Sequence, residues 1–280
     1  MTYERIRYDV PAPGVGRITL TRADKANAQD RSMLYEIDAA FGAAMQDDDV
    51  KLVILAADGK HFSSGHDLQD AMPIAEAGGP VTGAGGFSEP GPHGMFAREQ
   101  EIYLGLCWRW RNLPKPTIAQ VQGKVIAGGL MLVWPMDLVV ASSDATFSDP
   151  TVAFGVNGHE YFTHAWEVGA RKAKEMLFRG YGISAEEAHR LGMVNHVVPR
   201  EELEPFTLQL ASEIAERPAM GLKLAKLAVN QSLDAQGQWT ALQAALGLHH
   251  LGHAHAHVVH GVPVDPSGAE VIRRMNKSSS

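Results

Sequence analysis

Two glycine-bearing turns and a row of histidines hold the residues of this sequence best suited to chemistry. The first turn is His61-Phe62-Ser63-Ser64-Gly65-His66-Asp67-Leu68, just after an apolar run at 52–56. The second is Gly123-Lys124-Val125-Ile126-Ala127-Gly128-Gly129-Leu130, just after another at 117–122. Glycine lets the backbone pass close to a ligand. A helix N-terminus offers free N–H donors to developing negative charge. Two such amides aimed at one oxygen make an oxyanion hole, each donor typically contributing about 3–4 kcal/mol. Either turn alone is more often a plain tight turn. His249, His253 and His257 recur at i, i+4 and i+8, with His260 close behind, a spacing that suits a transition metal on one helical face.

The elements that must position these turns can be read from periodicity. Strands are expected at 15–20, 52–56, 117–122, 137–141 and 145–147, the second buried on both faces like a strand of a parallel sheet. Met33, Leu34, Ile37, Phe41 and Met45 recur at three and four, which predicts a helix over 30–45 capped by Asp30. Further helices are expected from about 97 to 112, from Gly128, from Glu160 onward, and after the capping box Ser184-Ala185-Glu186-Glu187. The Gly- and Pro-rich stretch 69–95 reads as an inserted flexible loop. Residues 201–260 read as mostly helical.

Composition narrows the function class. The chain has 280 residues and a formal net charge of −7, which argues against general nucleic-acid binding. Trp108 and Trp110, interleaved with Arg109 and Arg111, are therefore read as core and rim rather than a base-stacking surface. Cys107 is the only cysteine, so no intrachain disulfide can form and a reducing cytoplasm fits. No apolar run approaches the ~18 residues of a membrane span, so no membrane association is expected.

Several ordered segments resemble the crotonase (enoyl-CoA hydratase/isomerase) superfamily. They are Arg22-Ala23-Asp24-Lys25-Ala26-Asn27-Ala28, Phe62-Ser63-Ser64-Gly65-His66-Asp67-Leu68, and Lys115 to Gly123 with the sequence KPTIAQVQG. Ala127-Gly128-Gly129 leading to Asp137-Leu138, and Ala188 to Asn195, complete the set. The resemblance spans roughly residues 3–230. It implies an α/β fold, the crotonase (ClpP-like) ββα spiral, with a core over 1–200 and a helical C-terminal trimerisation segment over 201–280. It implies an acyl-CoA thioester partner, no separate cofactor, no metal, and a homotrimer or homohexamer. By the same alignment the oxyanion-hole amides belong to His66 and Gly128, and Lys25, Ala26, Ser64, Gly65, Asp67 and Leu68 lie along the coenzyme A.

The sequence departs from that pattern where hydratases carry two acid/base glutamates. Those positions are Met131, three residues after Gly128, and Thr151, after Phe147-Ser148-Asp149-Pro150. Neither side chain can act as a carboxylate acid/base; both, with Gly129, are expected to border the substrate. In several family members an acidic residue eight positions past the second glutamate faces the acyl group. Here that count lands on His159, followed by Glu160. These two are the candidate catalytic side chains. Adjacent residues on a new helix point apart, so one of the two is expected to face the substrate. Decarboxylation or hydrolysis of an acyl-CoA, and silent acyl-CoA binding, are the alternatives.

Overall fold

The structure, a computed structural model, describes residues 2–278. A six-stranded sheet runs in the order β1 (Ile6–Ala12), β2 (Val15–Leu20), β3 (Leu52–Ala57), β4 (Thr117–Val121), β6 (Leu138–Ser142), β9 (His196–Val198). Only the β1–β2 hairpin is antiparallel; the remaining neighbours pair in parallel. A smaller sheet joins β5 (Lys124–Ile126), β7 (Thr146–Ser148) and β8 (Ile183–Ser184).

Every residue of β3 is buried, as a strand covered on both faces requires. Strand alternation divides it between two cores. Val53 and Leu55 face the cluster that holds α1 (Arg31–Gln46), while Leu52, Ile54 and Ala56 face a second cluster. Asp30 caps α1 by accepting from the Met33 amide at 2.8 Å.

Five helices follow α1 along the chain: α2 (Ile74–Ala77), α3 (Gly91–Glu99), α4 (Leu106–Arg111), α5 (Gly128–Val133) and α6 (His164–Val168). The rest are α7 (Ala170–Arg179), α8 (Ala185–Arg190), α9 (Leu203–Ala215), α10 (Ala219–Ala235), α11 (Gln238–His260) and α12 (Gly268–Ser278). Ser184 caps α8 through the Glu187 amide.

Three differences from the sequence expectations affect the site. First, the stretch 69–95 contains α2 and the start of α3, with Ile74 and Gly94 buried. It is pinned by Glu101, a fully buried carboxylate that accepts from the Val81 amide at 2.6 Å, the Thr82 amide at 3.1 Å and the Tyr35 hydroxyl at 3.2 Å. Glu101 lies in a π-helical stretch, Gln100–Gly105, that joins α3 to α4. Second, no helix starts at Glu160. Residues 159–163 are irregular and the helix begins at His164. Third, α9 packs its Leu203, Ala211 and Ala215 on the outer face of the large sheet, so it belongs to the core rather than to a separate C-terminal segment.

Candidate active site

The two glycine turns meet. Ser63 of the first forms a parallel bridge with Val125 of the second, through Ser63 N to Lys124 O at 3.3 Å and Ile126 N to Ser63 O at 3.1 Å. Gln29 ties them further. Its side-chain amide donates to Gly128 O at 2.8 Å and to Ser63 Oγ at 3.1 Å. Its backbone bridges the first turn through Gln29 N to Gly65 O at 2.8 Å and Asp67 N to Gln29 O at 2.9 Å. In such a parallel bridge the intervening residue, His66, points its own amide the other way. That direction leads to Gly128, the first residue of α5, whose N–H has no acceptor within the helix.

The crowding here leaves room for glycine only. A Cβ on Gly128 would stand 2.4 Å from His66 Cδ2 and 3.2 Å from His66 N. One on Gly65, where φ is +94°, would meet Ile126 O at 2.8 Å and Gly128 N at 3.3 Å. Ala127 aims the Gly128 amide with a left-handed φ of 46° and ψ of −108°. For a residue with a Cβ that conformation costs on the order of 1–3 kcal/mol, a strain typical of functional sites.

These amides border a cavity of about 640 Å³. Ser64, His66, Asp67, Leu68 and Gly128 line it on one side. His159 and Glu160 both line it too, from consecutive positions. The irregular backbone at 159–163 allows this, where a helix would have turned one of them away. Thr151 is in the wall, its hydroxyl donating to Asp149 at 2.6 Å. Gly129 and Met131 are buried behind the wall, Met131 in the main core with its carbonyl accepting from Cys107 Sγ. Lys25 is exposed on the turn beside the cavity, and its ammonium lies 4.0 Å from Asp67. The Ala26 carbonyl accepts from Ser64 N at 2.9 Å, holding that turn against the first glycine turn. Asp67 forms a 2.9 Å ion pair with Arg22, a structural bond that holds its carboxyl below the usual range.

The two candidate side chains are shifted in opposite directions. Burial, followed by the neighbouring Glu99 charge, drives the Glu160 carboxyl well above the usual carboxylate range. Burial, with His164 beside it, drives His159 well below the usual imidazole value. His159 is therefore a neutral base near pH 7, and burial favours the protonated form of Glu160. Neither ring nitrogen of His159 has a hydrogen-bond partner, and Glu160 Oε2 has none. Behind them Asp149 accepts from the His159 amide at 2.9 Å and from His164 Nε2 at 2.8 Å. Burial alone would raise Asp149, but the His164 bond and the two imidazoles outweigh it and keep the carboxyl ionised.

Three contributors, Tyr103, Glu99 and His164, were not legible from sequence. Tyr103 stacks flat on His66, centroids 3.9 Å apart. Glu99, at the end of α3, and His164 are buried beside the cavity. From α11, His249 and His253 turn inward to line the cavity, whereas His257 and His260 are exposed. The histidine spacing had marked that helix face; Glu99, Tyr103 and His164 come from elements whose approach no local pattern announces.

Comparison with known proteins shows the family and the fold. The family model described as enoyl-CoA hydratase/isomerase matches residues 12–80 and 93–264, passing over part of the 69–95 stretch. EchA13 of Mycobacterium tuberculosis, which carries an enoyl-CoA hydratase name, is 45% identical over 260 residues, covering 90% of this chain and 82% of its own. A crystal structure from Mycobacterium smegmatis, titled with the same enzyme name, superposes with a TM-score of 0.85 at 47% identity, covering 93% of this chain and 98% of that one. An enoyl-CoA hydratase/isomerase structure from Xanthobacter autotrophicus superposes with a TM-score of 0.80 at 34% identity, covering 98% and 94%. The fold is the crotonase fold, and the chain belongs to the enoyl-CoA hydratase/isomerase family.

Proposed function

We propose that this chain is an enzyme acting on an acyl-CoA thioester, with His159 and Glu160 in place of the missing glutamates. The reading is supported by His66 and Gly128 packing against each other in the wall of one cavity that also holds His159, whose imidazole burial keeps neutral, and Glu160, whose proton burial favours. The thioester oxygen would accept from both amides. His159 would remove a proton from the substrate Cα, leaving the C–H electron pair as an enolate in the hole, or from water, whose oxygen would bond to Cβ and push the double-bond pair into the same enolate. Glu160 would return a proton to carbon. Lys25 and Ala26 would lie along coenzyme A, with Asp67 holding its turn. Glu160 and His159 enter from the 159–160 segment rather than from positions 131 and 151. Short crotonyl-CoA is therefore a poor fit for hydration. Exposed Met220, Leu224 and Val229 of α10, with Leu248 and Leu251 of α11, offer an apolar surface for self-association as a homotrimer or homohexamer in the cytoplasm. Among the described residues no helix is long and apolar enough to cross a membrane.

The test is a panel of CoA thioesters, including crotonyl-CoA and a carboxylated acyl-CoA, against the wild type, His159→Gln and Glu160→Gln. We expect turnover of at least one thioester, with crotonyl-CoA hydrated orders of magnitude more slowly than by a two-glutamate enzyme. Each substitution should lower kcat by about 10²-fold or more while thioester binding holds. Unchanged turnover in both variants would remove these side chains from the chemistry. Binding without any turnover would favour the silent binder, and CO2 release that survives both substitutions would favour decarboxylation.

A further inference from the structure

Glu99, His249 and His253 meet in the cavity wall, and the hydrogen bonds around them leave a specific deficit. His249 Nδ1 lies 2.8 Å from Gly158 O, and His253 Nδ1 lies 2.5 Å from Pro263 O. A carbonyl oxygen only accepts, so each Nδ1 must carry the ring proton. The two Nε2 atoms then face each other at 2.9 Å. Two lone pairs at that distance repel unless a proton or a cation lies between them. The third member is also an acceptor. Glu99 is buried, with Oε2 at 3.6 Å from His249 Nε2 and Oε1 at 3.7 Å from His253 Nε2. Glu99 Oε2 has no aligned hydrogen-bond donor, although His250 Nε2 approaches to 3.0 Å. Glu160 Oε1 also lies 3.7 Å from His249 Nε2.

We propose that His249 Nε2, His253 Nε2 and the Glu99 carboxylate bind a divalent first-row transition metal, with Zn²⁺ the best match. Donors about 2.1 Å from a shared ion are separated by roughly 3.0–3.4 Å in octahedral or tetrahedral geometry. The observed 2.9, 3.6 and 3.7 Å separations bracket that range. The Nδ1–H to carbonyl bonds on both rings are the orienting contacts that metal-bound histidines usually make. Two nitrogen donors and one carboxylate form a set shared by zinc sites and other open transition-metal sites. All three side chains line the cavity. Positions left open by three protein donors therefore face its interior, where water or an oxygen of the acyl group can complete the shell. Glu160 stands next to that position. The site goes beyond the thioester reading and does not depend on it.

The experiment uses tag-free full-length protein stripped with chelator and titrated with Zn²⁺, alongside Co²⁺ as a spectroscopic probe. The expected result is one Zn²⁺ per chain and a Co²⁺ visible spectrum of a nitrogen/oxygen site. Glu99→Gln and the His249→Ala, His253→Ala double variant should weaken Zn²⁺ binding by at least about 10- to 100-fold. A variant with exposed His255, His257 and His260 all changed to Gln should bind as the wild type does. Circular dichroism establishes that each variant is folded, and the wild-type Co²⁺ spectrum reads the site without any substitution. No stoichiometric binding by the wild type would overturn the proposal. So would binding retained in the double variant, or binding lost with the exposed histidines. None of these readouts involves thioester turnover, so the failure of either proposal can be recognised separately.

Discussion

Each candidate side chain owes its chemical state to its surroundings rather than to its type. His159 and Glu160 are neighbours in sequence, yet burial pushes the imidazole down and the carboxyl up. The rate of a reaction using both should fall at low pH as His159 gains a proton, and at high pH as Glu160 loses its own. The low-pH limb should lie below the ordinary imidazole range and the high-pH limb above the ordinary carboxylate range. His159→Gln should abolish the first limb and Glu160→Gln the second, in the same kinetic experiment that tests their roles. Sequence marked this pair by counting from Thr151, and marked His66 and Gly128 by their turns. Asp149 was visible as a nearby acid, but not as the group that holds His159 and His164. Its role depends on residue 164 folding back fifteen positions later, which carries no periodic signal.

Among the elements, the glycine turns and their strands were legible because a buried strand and a helix start leave strong local patterns. Strand β3 and helix α1 fall within a residue or two of their expected spans. The stretch 69–95 reads as a loop and is mostly exposed, but its anchor was not legible because it lies outside the stretch, in the π-helical turn that contains Glu101. The two amides and two hydroxyls on that carboxylate convert a Gly- and Pro-rich stretch into a held flap beside Met95, another residue of the cavity wall. Glu101→Ala leaves those donors without an acceptor and should destabilise the protein by about 1–3 kcal/mol. It should also speed protease cleavage within 78–90 under native conditions. Thermal unfolding and limited proteolysis measure this. An unchanged cleavage rate would show that the flap is held by something else.

For the whole molecule, the concentration of buried imidazoles in one cavity links catalysis to stability. Burial pushes His66 and His249 down to about 4 and drives His159 down as well, against an ordinary value near 6.5. Between pH 6.5 and 4.5 the unfolded chain takes up protons at these three sites that the folded chain refuses. Glu160 and Glu167 act oppositely, each holding a proton when folded that the unfolded chain releases above about 4.5. The balance is an uptake of about one proton on unfolding, so the metal-free protein should become less stable as pH falls through this window. Melting temperatures measured with chelator from pH 7 to 4.5 check the sign; a flat or rising trend on acidification would contradict it. The core sheet, the turns and the family were visible in the sequence; the inward face of α11 was visible only as a histidine spacing, because its partner Glu99 lies 150 residues away. The most direct test of the central claim is a crystal structure with a saturated acyl-CoA such as butyryl-CoA. The account predicts the thioester oxygen within about 3 Å of both His66 N and Gly128 N, and the acyl Cα or Cβ beside His159 or Glu160. A thioester bound with its oxygen away from those amides, or an acyl chain on a path that misses both side chains, would contradict it.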